Sequence, residues 1–261
     1  MELKIYVISL RNSKRRDFQS KQLKNLGYAF NYIDAISAAC IKRNEFENVS
    51  GDWQRPMKKS EVACYLSHQS AWKRVIQNNS PALILEDDAL ILSDIKKLLL
   101  KCENLKGFDL INLENRGRKK FVSRFANAFM DEYSLYRLYL DTTGAAGYIL
   151  WPSGAKKILS CEKSKGFALA DAQIFNCRKL KSFQVEPSPI IQLDMARHYN
   201  IDCHFDSGLS KSSVSSNLRY ERDWVFIVRR IWSQLILGIY RLIISIYSTK
   251  RNISIPTKKN F

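Results

Sequence analysis

The stretch from Ile5 to Asp34 constrains the fold class more than any other part of the chain. Ile5 to Leu10 is apolar and reads as a buried β-strand. A polar turn, Arg11-Asn12-Ser13-Lys14-Arg15-Arg16, leads into a helix for which Ser13 is the natural N-cap. That helix runs to about Leu26 and stops at Gly27, a residue that tolerates the left-handed conformation of a helix end. Tyr28 to Ile33 forms a second strand that ends at Asp34. Strand, helix, strand in such short compass begins an α/β sheet.

The same alternation continues. Residues 38–58 are polar and mixed, and predict a loop with short helical pieces. A helix starts near Ser60, with Glu61 in its first turn but no full capping box. Its apolar face is marked by Tyr65, His68, Trp72 and Ile76 at helical spacing. Asn78-Asn79-Ser80-Pro81 ends it, and Ala82-Leu83-Ile84-Leu85 is a short apolar strand. Ala89 to Leu92, Phe108 to Leu113 and Ala145 to Trp151 are further strand candidates. Pro152-Ser153-Gly154 opens a helix over 155–159, another short helix falls within 167–177, and 183–191 is extended. Residues 114–140, basic and aromatic, match neither period. The expected organisation is a catalytic domain over 1–206, a serine-rich linker over 207–222 and a basic amphipathic tail over 223–261.

A length of 261 residues with a 46% hydrophobic fraction suits one sizeable folded domain and excludes a disordered chain. The net charge of +17 attracts anions at long range. Nucleic acid, anionic lipid, nucleotide sugars and phosphorylated glycolipids all fit that charge. Clusters at Arg116-Gly117-Arg118-Lys119-Lys120, Lys250-Arg251 and Lys258-Lys259 read as solvated or membrane-facing surface. No zinc-binding, helix-turn-helix or RNA-binding signature accompanies them, so nucleic acid is not the expected partner. The six cysteines, Cys40, Cys64, Cys102, Cys161, Cys177 and Cys203, contain no C-x-x-C pair and are expected as reduced thiols. Ile5-Tyr6-Val7-Ile8 is too short for a signal-peptide core, which points to a cytoplasmic protein.

The tail is apolar, yet its longest uncharged run, Ile231 to Tyr240, is shorter than the roughly 20 residues that a bilayer requires. Arg222, Arg229, Arg230 and Arg241 fall within about a third of a helical circumference, interrupted by Phe226, Leu237 and Ile244. A helix lying in an anionic membrane interface is the expectation, against the plainer one of a core or oligomer-interface helix.

Glu86-Asp87-Asp88 at the tip of the Ala82–Leu85 strand is the chemical feature of the chain. Adjacent carboxylates repel one another unless a cation offsets them. Hard divalent cations take oxygen ligands and bridge phosphates. In an extended segment Glu86 and Asp88 point to one side, a geometry that holds one metal. The plainer reading is a solvated acidic turn.

Four segments together resemble glycosyltransferase family 25, the lipooligosaccharide biosynthesis transferases. They are Tyr6-Val7-Ile8-Ser9-Leu10 with Arg15-Arg16 and Tyr32-Ile33-Asp34-Ala35-Ile36; Ser60 to His68 with Trp72; Leu83-Ile84-Leu85-Glu86-Asp87-Asp88; and Thr143 to Leu150 with Gly154-Ala155, followed by Asp171. Order and spacing match over residues 3–195. The family has glycines where this chain has Ser60 and Ala63, and the tail lies outside the resemblance. The resemblance implies a GT-A-type nucleotide-sugar fold with a mixed central sheet. It also implies an inverting transfer, commonly of galactose from UDP-galactose, to a lipooligosaccharide acceptor in Gram-negative bacteria. Manganese, or another divalent metal, would sit on the acidic motif, with Asp88 and Glu86 as ligands. Ser9, Leu10 and Arg11 would border the uridine, Arg15 or Arg16 would approach the diphosphate, and Glu86, Asp87 and Gly147 complete the donor-binding set.

Asp171 is the candidate general base, balanced against a helix-capping role, and Asp194 is the weaker alternative for the base or a metal contact. His68 reads as a satisfied core histidine, and His198 and His204 are minor candidates for the metal or diphosphate. A lipid-linked acceptor at the inner face of the inner membrane would give the basic tail a purpose. The competing readings are a UDP-glucose or UDP-N-acetylglucosamine transferase of the same fold and a non-catalytic basic membrane adaptor.

Overall fold

A computed structural model describes residues 3–201 and 224–256. The elements run β1 (Lys4–Ser9), α1 (Lys14–Asn25), β2 (Asn31–Asp34), α2 (Arg43–Ser50), α3 (Lys59–Asn78), β3 (Ala82–Glu86), β4 (Ala89–Ile91) and α4 (Lys96–Glu103). They continue with β5 (Leu110–Asn112), β6 (Lys120–Ser123), β7 (Asn127–Ala128), β8 (Ser134–Leu140), β9 (Gly147–Leu150), α5 (Pro152–Lys165) and α6 (Ala170–Asn176). The chain closes with β10 (Ser182–Glu186), β11 (Ile190–Gln192), α7 (Trp224–Ser245) and β12 (Ser248–Arg251).

The local signals explain the first unit. Ser13 caps α1 by accepting the Arg15 N–H, and Gly27 adopts φ +72° where the helix ends. β1 then pairs in parallel with β2 on one side and β3 on the other. α3 begins at Lys59, slightly before the expected Ser60, and Glu61 accepts the Lys58 backbone N–H at 2.9 Å, one half of a capping box. Asn79 closes α3 in the left-handed region at φ 46°.

The large sheet has the order β12-β6-β8-β10-β5-β9-β3-β1-β2, with β7 beside β8. It is mixed, as expected. β9 runs antiparallel between β3 and β5, and β10 is parallel to β5 but antiparallel to β8. Strand alternation divides the core in two. Tyr6, Ile8 and Ile84 pack with α3, α5 and α6 on one face; Ile5, Val7, Leu83 and Leu85 pack with Leu23 and α4 on the other. Burial of each such side chain contributes roughly 1.5–3 kcal/mol. A small second sheet, β4 with β11, sits beyond the acidic turn.

Three expectations change. Residues 114–140, unplaced by period, supply β6, β7 and β8, whose pairing is antiparallel and partly solvated. Within the tail expected over 223–261, the described residues hold a strand as well as a helix: β12 pairs with β6, and Ile253 packs on Val122 and Leu138. Cys161 and Cys177 are joined in a disulfide rather than reduced, because α5 and α6 both pack on α3 and bring them together. Cys40, Cys64 and Cys102 are free, and Cys203, His204 and the 207–222 linker lie outside the described residues.

Candidate functional site

The carboxyl ends of β1, β3 and β5 and the amino end of β9 meet at one edge of the sheet, a position where open α/β sheets collect ligands. β3 ends there in Glu86. Asp87 and Asp88 are not extended but form the tight turn into β4, so simple alternation does not align the acids. The turn instead sends each side chain to a different neighbour. Glu86 meets His68 Nε2 at 2.9 Å, and its backbone N–H donates to the Ala146 carbonyl. Asp87 accepts from Ser9 Oγ at 2.8 Å. Arg15 Nη1 stands 3.4 Å from Asp87 Oδ1 and 3.3 Å from Asp88 Oδ2.

Burial is the first cause that pushes the Asp88 carboxyl up to about 7, and the charge of Glu86 is the second. The two groups therefore feel each other strongly despite the turn. Asp87 is raised as well, again by burial first. Behind Glu86, the His68 ring lies between Glu86 and the Tyr148 hydroxyl, 2.9 Å from Nδ1, and Trp72 Nε1 donates to the same hydroxyl at 2.9 Å. His68 is a satisfied core histidine, as expected, but the partner that satisfies it is an acid of the site.

Sequence reasoning missed Glu114, just past the end of β5. Its side chain is buried, accepts the Ala146 N–H at 2.7 Å, and is raised to about 8 by burial and then by Glu86. Gly144, at φ +95°, lies so close that an added Cβ would stand 2.6 Å from the Glu114 carboxylate. Lys120, equally buried, binds Asp141 at 2.7 Å and the Glu114 carbonyl at 2.8 Å. No local period marks Glu114, Lys120 or Asp141; the acid that follows Leu113 and the glycine of Thr143-Gly144 are the sequence traces.

The remaining candidates divide. Of the arginines, Arg15 faces the acids, whereas Arg11 and Arg16 both bind Asp34 at 2.7 Å and Arg16 lies over the Tyr32 ring. Those two guanidiniums hold the Asp34 carboxyl below its usual range. Ser9 is buried against Asp87, and Leu10 is exposed beside it. At Gly147, the first residue of β9, an added Cβ would meet the Ile190 side chain at 2.6 Å, so the glycine admits β11 against β9. Asp171, in the first turn of α6, is raised by burial and then by Glu86, and its Oδ1 accepts the Ala172 N–H. Asp194 is paired with Arg116 through two hydrogen bonds, one of 2.8 Å. His198 is exposed and lies against Tyr199 near Gly117.

A divalent cation suits this donor set. Asp88 Oδ1 and Glu114 Oε1 are buried without a hydrogen-bond partner among the described residues. Orphaned carboxylate oxygens amid mutually repelling acids fit a hard cation. A softer group, Cys64, His68 and Glu86, has ligand atoms within 4.8 Å of one another, but both His68 nitrogens are already engaged. The oxygens of Glu86 and Asp88 are the better match.

Comparison with known proteins identifies the family of the chain. The sequence model of glycosyltransferase family 25 (LPS biosynthesis protein) matches residues 2–173. A putative glycosyltransferase of Haemophilus influenzae is 28% identical over 216 residues, covering 79% of this chain and 75% of that protein. The lipooligosaccharide biosynthesis protein lic2B, also from Haemophilus influenzae, is 25% identical over 205 residues, 72% of this chain and 75% of its own. Human procollagen galactosyltransferase 2 is 23% identical over 256 residues, 84% of this chain but 39% of that protein. The chain thus spans about two fifths of the length of the procollagen galactosyltransferases it matches. With the match running unbroken from β1 through the acidic turn to Asp171, the chain belongs to glycosyltransferase family 25.

Proposed function

We propose that this chain is an inverting, GT-A-type glycosyltransferase that moves a hexose, galactose first among the candidates, from a UDP-sugar to a lipooligosaccharide acceptor. The observation that carries the proposal is the acidic turn at the strand edge, where Asp88 keeps a buried, unpartnered oxygen beside Glu86 and Arg15. Glu86 and Asp88 would hold manganese, which when bound neutralises negative charge on the diphosphate. Arg15 faces the same space and adds a fixed positive charge for the departing UDP. Ser9 and Arg15 restrain Asp87, so the turn is held before any substrate arrives.

The transfer is a single in-line displacement. The acceptor oxygen forms a bond to the anomeric carbon while the bond to the UDP oxygen breaks, and the acceptor proton passes to a carboxylate. Asp171 is the better base. Its raised affinity for a proton suits that role, whereas Asp194 is neutralised by Arg116. The His68–Tyr148–Trp72 chain orients Glu86 from behind.

Helix α7 supports a further part of the proposal, attachment to an anionic membrane surface at the cytoplasmic side. Among the described residues no helix is long and apolar enough to cross a membrane. α7 nevertheless exposes Trp224, Val228, Ile231, Trp232, Leu235, Ile239 and Leu242. An apolar face turned outward, with Arg229 at its edge, suits the interface of a bilayer.

Release of UDP from UDP-galactose, UDP-glucose and UDP-N-acetylglucosamine, with manganese and a truncated lipooligosaccharide, tests the proposal. Manganese-dependent UDP release that needs the acceptor and is highest with UDP-galactose is expected. Asp88→Asn should lower it by at least about 100-fold while the fold persists. Full activity in that variant, or none in the parent chain with any donor, overturns the reading.

A further inference from the structure

The basic run 116–120 separates in the structure. Arg116 pairs with Asp194, and Lys120 turns inward to Asp141. Arg118 and Lys119 stay outside, where Arg241 of α7 and Lys250 of β12 join them around a cavity of about 300 Å³. Phe121, Leu140, Asp141 and Thr142 complete its lining. The one acid there is already committed. Asp141 Oδ2 binds Lys120 at 2.7 Å and Asn112 at 3.2 Å, and its Oδ1 accepts the N–H groups of Thr142 at 2.7 Å and Thr143 at 3.2 Å. Among the described residues Arg118, Lys119, Arg241 and Lys250 have no carboxylate at ion-pair distance. The cavity therefore presents four cations from three elements of the fold with no acid left to offset them.

Its place in the molecule gives that charge a use. The Asp141 wall continues through Thr142 and Thr143 to Gly144, which touches the Glu114 carboxylate, and the charge of Asp141 reaches Asp171. The cavity thus adjoins the candidate site on the side of the proposed base, while Arg241 ties it to the helix with the outward apolar face. A group seated there belongs to whatever enters next to Asp171.

We propose that this cavity binds a phosphate ester carried by the acceptor. The inference rests on the transferase reading, and deepens it by assigning the acceptor an anionic substituent. A phosphate monoester carries a charge of about −1.5 to −2 and three acceptor oxygens, which matches several cationic donors better than a single carboxylate does. Arg118 and Arg241 offer planar forks to those oxygens, and Lys119 and Lys250 offer point charges.

Calorimetric titration of the full chain with a hexose 6-phosphate, the same hexose without phosphate, inorganic phosphate and UDP tests the assignment, in parallel with the Arg118→Gln/Lys250→Gln double variant. The hexose phosphate should bind the parent chain and weaken roughly tenfold or more in the variant, with UDP affinity unchanged as the control for an intact fold. Vesicles containing phosphatidic acid form the second arm. Loss of vesicle binding in the variant, without hexose-phosphate binding to the parent, assigns the phosphate to a lipid end of the acceptor and still supports the cavity. Equal ligand affinities in the parent and the variant overturn the proposal, as does equal affinity for the unphosphorylated hexose or for inorganic phosphate. Hexose-phosphate binding by a chain that never binds UDP would sink the transferase reading and leave the cavity standing.

Discussion

Glu114 shows how much a single buried carboxyl contributes to this site. Folding lifts it from the usual glutamate range to about 8, by burial and then by the charge of Glu86. Between about pH 4.5 and pH 8 the folded protein keeps a proton that the unfolded chain releases, so stability falls as pH rises through that window. Asp88, raised to about 7, acts in the same direction and loses its contribution as pH rises through that value. Urea denaturation of the metal-free chain at pH 5, 7 and 8 should therefore show declining stability. Glu114→Gln should reduce the decline and remove its last portion between pH 7 and 8, a difference on the order of a few kcal/mol across the whole window. An unchanged pH profile in the variant would show that Glu114 is ionised in the fold. The arginines teach a related lesson. Arg15 and Arg16 are adjacent in sequence, yet α1 turns one toward Asp87 and Asp88 and the other toward Asp34.

Helix α7 is legible as an element once its two stripes are separated. At about 100° per residue, Trp224, Val225, Val228, Ile231, Trp232, Leu235, Ile236, Ile239, Leu242, Ile243 and Ile246 fall within an arc of about 140° that holds no polar residue. Arg229 falls just beyond one edge of that arc, and Arg230 and Arg241 lie opposite it. Phe226, Leu237 and Ile244, which interrupt the arginine stripe in the sequence, are the residues that turn toward the protein, and Ile244 is fully buried. Tyr240 fixes the docked side by donating to the Tyr139 carbonyl at 3.0 Å beneath the Arg178 guanidinium. Those three apolar residues, flaws in the amphipathic pattern when the sequence is read alone, are its docking seam. Trp232→Asp with Leu235→Asp should release the protein from anionic vesicles in a co-sedimentation assay. Each side chain contributes about 1.5–3 kcal/mol when removed from water. Binding that persists in the double variant would place the membrane contact elsewhere.

At the scale of the whole molecule, the two ends of the described chain share one sheet. β1 lies near one edge and β12 forms the other, held by Ser188 N–H to the Ser254 carbonyl at 2.7 Å, Asn115 Nδ2 to the Ile253 carbonyl at 2.5 Å and the Arg251–Glu186 ion pair. Cutting the chain before α7 would thus remove a strand as well as a helix, so loss of membrane binding after such a cut would not isolate the role of α7. Deletion of residues 248–261 should itself destabilise the chain by roughly 3 kcal/mol or more, from the buried Ile253 and the lost ladder. A urea midpoint equal to that of the full chain would show that β12 is dispensable.

The sequence alone determined the strand–helix–strand opening, the apolar strand that ends in Glu86-Asp87-Asp88, the helix bearing His68 and Trp72, and the apolar tail helix. Each of these is written in a local period or a cap, whose physics acts over a few residues. Tertiary structure decided which charges meet. Arg116 with Asp194, Lys120 with Asp141, Glu114 against Gly144 and Cys161 with Cys177 are pairings between separate elements. β12 against β6 joins residues more than a hundred positions apart. No local pattern encodes such contacts, because burial and charge in a folded interior depend on everything packed around a group rather than on its neighbours in the chain.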